Sequence, residues 1–215
     1  MGIFFKMEKK INPRLIELAR LTHNPNLKID ETIFEKETEI HSLNAPELKG
    51  MIWVPSVNLY FQDKRTHLGK SWNETQKVLV KEKLTMPTPY QFREFLKYLR
   101  DTNNNLYNEI TEVREPWRAN WINAKFEKRK NGLYMISENV LENRSYKTIE
   151  QQLTDFCEKD KTPGISLDEW LNSNSEHGLP KAKINKGKLY YWAPVEGFVA
   201  RFDAYSDRAH FYCYR

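Results

Sequence analysis

Cysteine is nearly absent from this 215-residue chain: there are two, Cys157 and Cys213. Two isolated thiols make neither a metal-ligand spacing nor a redox pair, so disulfide-rich and zinc-ribbon classes fall away. Two readings of the pair stand, one long-range disulfide or two buried thiols. Long apolar runs are missing too, and nothing approaches the roughly 20 residues of a membrane-spanning helix. The opening MGIFFKMEKK has no apolar stretch or small-residue cleavage site of the signal-peptide kind. A soluble chain without membrane insertion is expected, reaching a virion or cell surface without such a signal. Glycine is sparse, at 8 residues, and no Gly-rich phosphate loop occurs. Nor does one charge dominate: 34 basic and 29 acidic residues interleave to a net +5. A nucleic-acid binder more often carries a basic stripe with few acids in it, so no nucleic-acid partner is expected. No internal repeat or low-complexity stretch is found.

What is present is core material. Apolar residues make up 40% and aromatics 13% of the chain. Its tryptophans run from Trp53 to Trp192, which suits one core through most of the length. Residues 1–50 read as an N-terminal arm packed on the main domain. That arm has a short helix after Asn12-Pro13, a loose strand over Thr32 to Leu43, and a boundary at Ala45 to Gly50. Residues 51–215 read as the main, ligand-binding domain.

Within the main domain, Met51 to Val57 predicts a short strand, ended by Pro55 or resumed after it as an edge. Ser71-Trp72-Asn73-Glu74 is a capping box, in which the serine oxygen takes an orphan amide and Glu74 reaches back. A helix to about Lys83 should follow, with Trp72, Thr75 and Leu79 on one face. Thr88-Pro89-Tyr90-Gln91 repeats the device with proline at the first helical position. Phe92, Phe95, Leu96 and Leu99 then share one face of a helix. A third helix is expected from Pro116, with Trp117, Trp121 and Ala124 inward. A fourth is expected from Tyr146 to Glu158, with Ile149, Leu153 and Phe156 inward. Ser166 to Glu169 forms another box ahead of Trp170 and Leu171. From Lys188 onward, KLYYW and Val199 to Arg215 alternate with period 2 and predict strands. Helices in the middle and strands at the end indicate an α+β class.

The tail FVARFDAYSDRAHFYCYR interleaves two sets of residues. Asp203, Tyr205 and Asp207 alternate with Ala200, Phe202 and Ala204. After Arg208-Ala209 the phase slips by one, and His210, Tyr212 and Tyr214 take over. A slip of one in a period of two marks a turn or a bulge at SDRA. An ordinary solvent face draws on Lys, Glu, Thr and Ser, and this set has no Lys, Glu or Gln. Its tyrosines offer large contact area at low conformational cost, as binding surfaces do. Asp, His and Tyr codons are each one first-base change from an asparagine codon, AAY. All six positions fit an Asn template whose adenines were replaced. Ser206, Phe211 and Cys213 form a second tier, reachable by changing the second base or both.

On these residues the tail resembles the variable region of a diversity-generating retroelement target protein. A template of the form VARFNANSNRA would give it. In that family a reverse transcriptase copies a template with errors at adenines, and the copy replaces the 3′ end of a gene. The chain is most similar to the archaeal and archaeal-virus branch. The resemblance implies a C-type lectin fold of the subtype shared with formylglycine-generating enzymes, with helices in the middle and a small antiparallel sheet carrying C-terminal variable strands. KLTMPTPYQFREF, Lys83 to Phe95, is similar to the RLPTEAEWE helix start of that subtype, with Met86-Pro87-Thr88 in place of LPT.

The resemblance implies a variable region of about residues 198–215. Ligand-contacting positions would be Asp203, Tyr205, Asp207, His210, Tyr212 and Tyr214, with Ser206, Phe211 and Cys213 as further variable candidates. Arg201, Phe202, Ala204 and Arg208 would be the scaffold that holds them. Arg201 and Arg208 either pin the loop through carbonyls or stand exposed. The implied partner is a protein or glycan, such as a host cell-surface receptor. No cofactor and no metal-ligating residue is assigned, and the EPN, QPD and WND triplets of calcium-binding lectins are absent, which argues against calcium-dependent sugar binding. Trp72-Asn73-Glu74 only echoes the last of these.

Two other classes compete with this reading. His210 with Asp203 or Asp207 could do hydrolase-like acid–base work, but no nucleophile with an adjacent base accompanies them, and no enzyme is expected. A nucleic-acid binder could stack bases on the tyrosines, but Asp203 and Asp207 on that face oppose it. His67 near Lys64 and Arg65 could hold an anion, although an exposed loop accounts for it as well.

Overall fold

The computed structural model describes residues 47–112, 118–142, 145–205 and 208–214. The helix and strand expected in the arm lie outside the described residues. In chain order the elements are β1 (Met51–Val54), a 3-10 turn (Pro55–Val57), β2 (Leu59–Gln62), α1 (Trp72–Lys81), α2 (Pro89–Thr102), α3 (Asn104–Thr111), β3 (Arg118–Arg129), β4 (Gly132–Glu142), β5 (Ser145–Gln152), β6 (Lys161–Ile165), α4 (Leu167–Leu171), β7 (Leu189–Tyr191), β8 (Val199–Tyr205) and β9 (Arg208–Tyr214).

The class is mixed α+β, and the sheet is large. Its seven strands run in the order β5-β4-β3-β8-β9-β7-β6, beside a separate β1–β2 hairpin. All pairings are antiparallel except β7 with β9, which are parallel. The expected small antiparallel sheet is therefore corrected in size and in that one pairing. No helix among the described residues is long and apolar enough to cross a membrane.

The capped helices form where expected. Ser71 and Thr88 each head a reciprocal capping box, and Pro89 opens the first turn of α2. Phe92, Phe95, Leu96 and Leu99 are all fully buried. Phe92 meets Phe202 of β8, with ring centroids 5.3 Å apart, and Phe95 stacks on Phe61 of β2 at 4.3 Å. The periodic face of α2 is thus the floor on which the sheet lies. Ser166 caps α4 by accepting from Glu169 N, and the Glu169 carboxylate takes Asn185 N and Nδ2. Strand β1 ends where proline predicts, with Pro55 starting the 3-10 turn.

Two expected helices are strands. The segment read as a helix from Pro116 is β3 from Arg118 onward. Ile122, Ala124 and Phe126 alternate into the core with period 2, while Trp121 takes the other face. Trp121 and Ala124 are also three apart, so the same residues satisfy a helical template. Pairing with β4 and β8 decided between the two. The segment from Tyr146 is β5, an edge strand paired with β4, and Leu153 and Phe156 follow its end.

Where the pairing of β3 with β8 shifts register between Trp121 and Lys125, the Asn123 side chain ties β3 to β4 and to α1 instead. Its Oδ1 accepts from Gln76 Nε2 at 2.9 Å and from Glu138 N at 3.0 Å, and its Nδ2 donates to Glu138 O at 2.6 Å. These bonds hold α1 over the face of the sheet opposite α2. There Trp72, Leu79 and Met86 pack with Trp121, and Val199 joins them. At the other edge, close approach requires glycine: a Cβ on Gly164 would sit 1.8 Å from Leu189 O. That contact lets β6 lie tight against β7.

Candidate ligand-binding face

The C-terminal hairpin pairs Val199 with Tyr214, Ala200 with Cys213, Arg201 with Tyr212, Phe202 with Phe211, Asp203 with His210, Ala204 with Ala209, and Tyr205 with Arg208. Residues directly opposed in an antiparallel pair share a face. Each pair joins one odd and one even number, so the odd positions of β8 share a face with the even positions of β9. The phase slip in the tail is therefore the arithmetic of a two-residue connection, Ser206-Asp207, and no bulge interrupts the pairing. Ser206 and Asp207 themselves lie outside the described residues.

One face of the hairpin is core. Ala200, Phe202, Ala204 and Phe211 are fully buried, and Ala209 nearly so. Trp170 of α4 packs on Phe202 at 6.1 Å and on Phe211 at 5.4 Å. Phe211, a second-tier variable candidate, is thus placed with the scaffold, alongside Phe202 and Ala204. Position 213 lies opposite Ala200 on this same face of the ladder. Cys157 is a free, buried thiol whose S–H donates to Lys159 O at 3.2 Å.

The other face carries positions 201, 203, 205, 208, 210, 212 and 214 by register. It divides into a closed half and an open half. On the closed half Asp203 is 3% exposed and Arg201 9% exposed. Arg201 Nη2 donates to Asp203 Oδ2 at 2.8 Å, and its guanidinium lies 5.4 Å from the Trp121 ring centroid. Asp203 was expected to be displayed, and its burial corrects that. β3 lies beside β8 here, so Trp121 and Ala119 flank the pair. Arg201 does not stand in solvent: it holds a carboxylate and a ring. Burial pushes the Asp203 carboxyl up to about 7, against the downward pull of the neighbouring Arg201.

On the open half His210 is half-buried, as are Tyr190 and Trp192. Parallel pairing sets Tyr190 beside His210. Their rings lie nearly parallel, 18° apart with centroids 5.7 Å apart. Trp192 closes the group, 5.2 Å from His210 and 6.1 Å from Tyr190. Positions 205, 212 and 214 extend this face along the hairpin by register.

Sequence reasoning missed Trp121, Tyr190 and Trp192. A signal for two of them was present, because Leu189 and Tyr191 alternate inward, leaving Tyr190 and Trp192 on the outer face. Nothing local indicated that β7 would run parallel beside β9. His67 meets the Glu82 carboxylate at 2.9 and 3.1 Å, and Arg65 lies 3.6 Å from Glu109, so both have anionic partners within the chain. Among the described residues no group of three or more His, Cys, Asp or Glu is placed to hold a metal ion. Comparison with family models, curated proteins and solved structures returns no match for this chain.

Proposed function

We propose that the chain is a ligand-binding protein whose C-terminal hairpin displays side chains diversified by a retroelement, on a scaffold of the C-type lectin kind. The observation that carries the reading is the register of β8 and β9. The residues reachable from asparagine by first-base changes at 203, 205, 210, 212 and 214 occupy one face of the ladder. The alternating small and aromatic residues at 200, 202, 204, 209 and 211 occupy the other, which is core. Such a division lets side chains change on one face while the packing that holds the backbone stays the same. The seven-stranded mixed sheet is larger than the resemblance leads one to expect, and Asp203 belongs to the supporting half of the face. Tyr205, Asp207, His210, Tyr212 and Tyr214 remain as the display set. Binding, rather than catalysis, is the role assigned, and a host cell-surface receptor is the partner it suits.

The test is genomic. An imperfect repeat of the last coding stretch is expected near the gene, differing at template adenines, with a reverse transcriptase gene beside it. A repeat whose differences fall evenly on all four bases, or no repeat at all, overturns the reading.

A further inference from the structure

The open half of the face contains residues that the tail does not encode. Tyr190 and Trp192 come from β7, outside the variable stretch, and no redraw of the hairpin would alter them. With His210 they form a continuous three-ring patch, each ring half-buried and so held at a fixed height. The strand is entered through a basic segment. Residues 181–194 hold four lysines and no aspartate or glutamate. Lys181 pairs with Asp155 at 2.8 Å, while Lys183, Lys186 and Lys188 are exposed, and Lys188 immediately precedes β7. Asp160, the acid that reaches the far end of the strand, accepts from Ala193 N at 2.8 Å. Asp203, opposite His210 across the hairpin, is buried with its counter-ion Arg201.

We propose that Tyr190, Trp192 and the exposed Lys188 form a constant subsite for an acidic sugar residue, a pyranose bearing a carboxylate or sulfate. The proposal deepens the binding reading of this face. A pyranose presents a flat face of C–H groups that packs on the tilted Trp192 ring beside the Tyr190–His210 stack, and its anionic substituent is drawn to the lysine end. A single strand of nucleic acid fits less well. It needs separated stacking slots and basic residues along its whole track. Here the near-parallel Tyr190 and His210 rings already face each other, and the lysines lie at one end only. The subsite would supply weak affinity common to every version of the protein, and the hairpin would supply the selection among partners.

The experiment is titration of the full chain with a galacturonic-acid hexamer, followed by calorimetry and by tryptophan fluorescence. Its neutral methyl ester, poly-glutamate of similar charge and an oligo-dT are run beside it. The hexamer is expected to bind at least tenfold tighter than the ester and the peptide. Trp192→Ala and Lys188→Ala should each weaken it about tenfold, and Trp192→Phe should restore most of the first loss. Lys188 is exposed, so its variant tests the site even where Trp192→Ala unfolds. Replacing Tyr212 and Tyr214 by Ser should leave hexamer binding within about twofold. The proposal is overturned by absent hexamer binding, by equal binding of poly-glutamate, or by tighter binding of oligo-dT. It is also overturned if the hairpin variant alone abolishes binding. Failure here leaves the genomic test of diversification untouched, and the converse holds.

Discussion

The two faces of the C-terminal hairpin are built from the same backbone and answer to different physics. On the core face Phe202 and Phe211 are closed in by Phe92 and Trp170, and every atom removed leaves a hole. On the other face the β3 side is closed by an ion pair and a tryptophan, and the β7 side ends in a half-exposed aromatic patch. The comparison shows that a face is not uniform in tolerance. The outer face is covered at Arg201 and Asp203 and half-open at His210.

The largest expected effect comes from the core. Phe211→Ala should cost about 3–5 kcal/mol, the usual toll of a large aromatic cavity, read from denaturant midpoints. A loss under about 1 kcal/mol would mean that the two faces do not differ as described. Next comes the covered half: Arg201→Ala leaves buried Asp203 without its hydrogen-bond donor and should cost about 1–3 kcal/mol.

That same pair gives a pH test. Asp203 has a folded pKa of about 7, above its ordinary 3.8. Between those values the folded state holds a proton that the unfolded state has released. Its contribution to stability is complete below the lower value and is lost as pH rises to about 7, by at most about 1.4 kcal/mol per pH unit. Asp203→Asn should remove that slope from the difference between wild-type and variant unfolding curves. A difference that is flat across pH 4 to 7 would place Asp203 in solvent.

Smaller effects are expected on the open half. His210→Ala loses contact with two rings, Tyr190 and Trp192, and should cost about 1 kcal/mol. If they are displayed as proposed, replacing Tyr205, Tyr212 and Tyr214 by Ser should move stability by less than about 0.5 kcal/mol each. A cooperative collapse of that triple variant, followed by thermal melting, would make these positions structural rather than displayed.

Much of the molecule was legible in advance, for identifiable reasons. The starts of α1, α2 and α4 are written in capping residues that act over three positions, so no distant partner is needed. The division of the tail into two sets is likewise local, because side chains alternate along any strand. β3 and β5 resemble helices in sequence because Trp121, Ala124, Ile149 and Leu153 recur at spacings that suit a helix as well as a strand. Only the neighbouring strands chose between them. The turn in the tail was readable as a turn or a bulge, and its two-residue length became plain once Tyr205 was seen opposite Arg208.

Sequence alone determined the capped helices, the strand character of the tail and which tail residues alternate with which, since each depends on contacts within a few residues. Tertiary structure decided that β7 runs parallel to β9, so that Tyr190 and Trp192 meet His210. It also decided that β3 and Trp121 cover the Arg201 end, so that Asp203 is buried with its counter-ion. Both outcomes join strands far apart in the chain. Their energies come from burial and pairing, which have no value until the partner strand arrives.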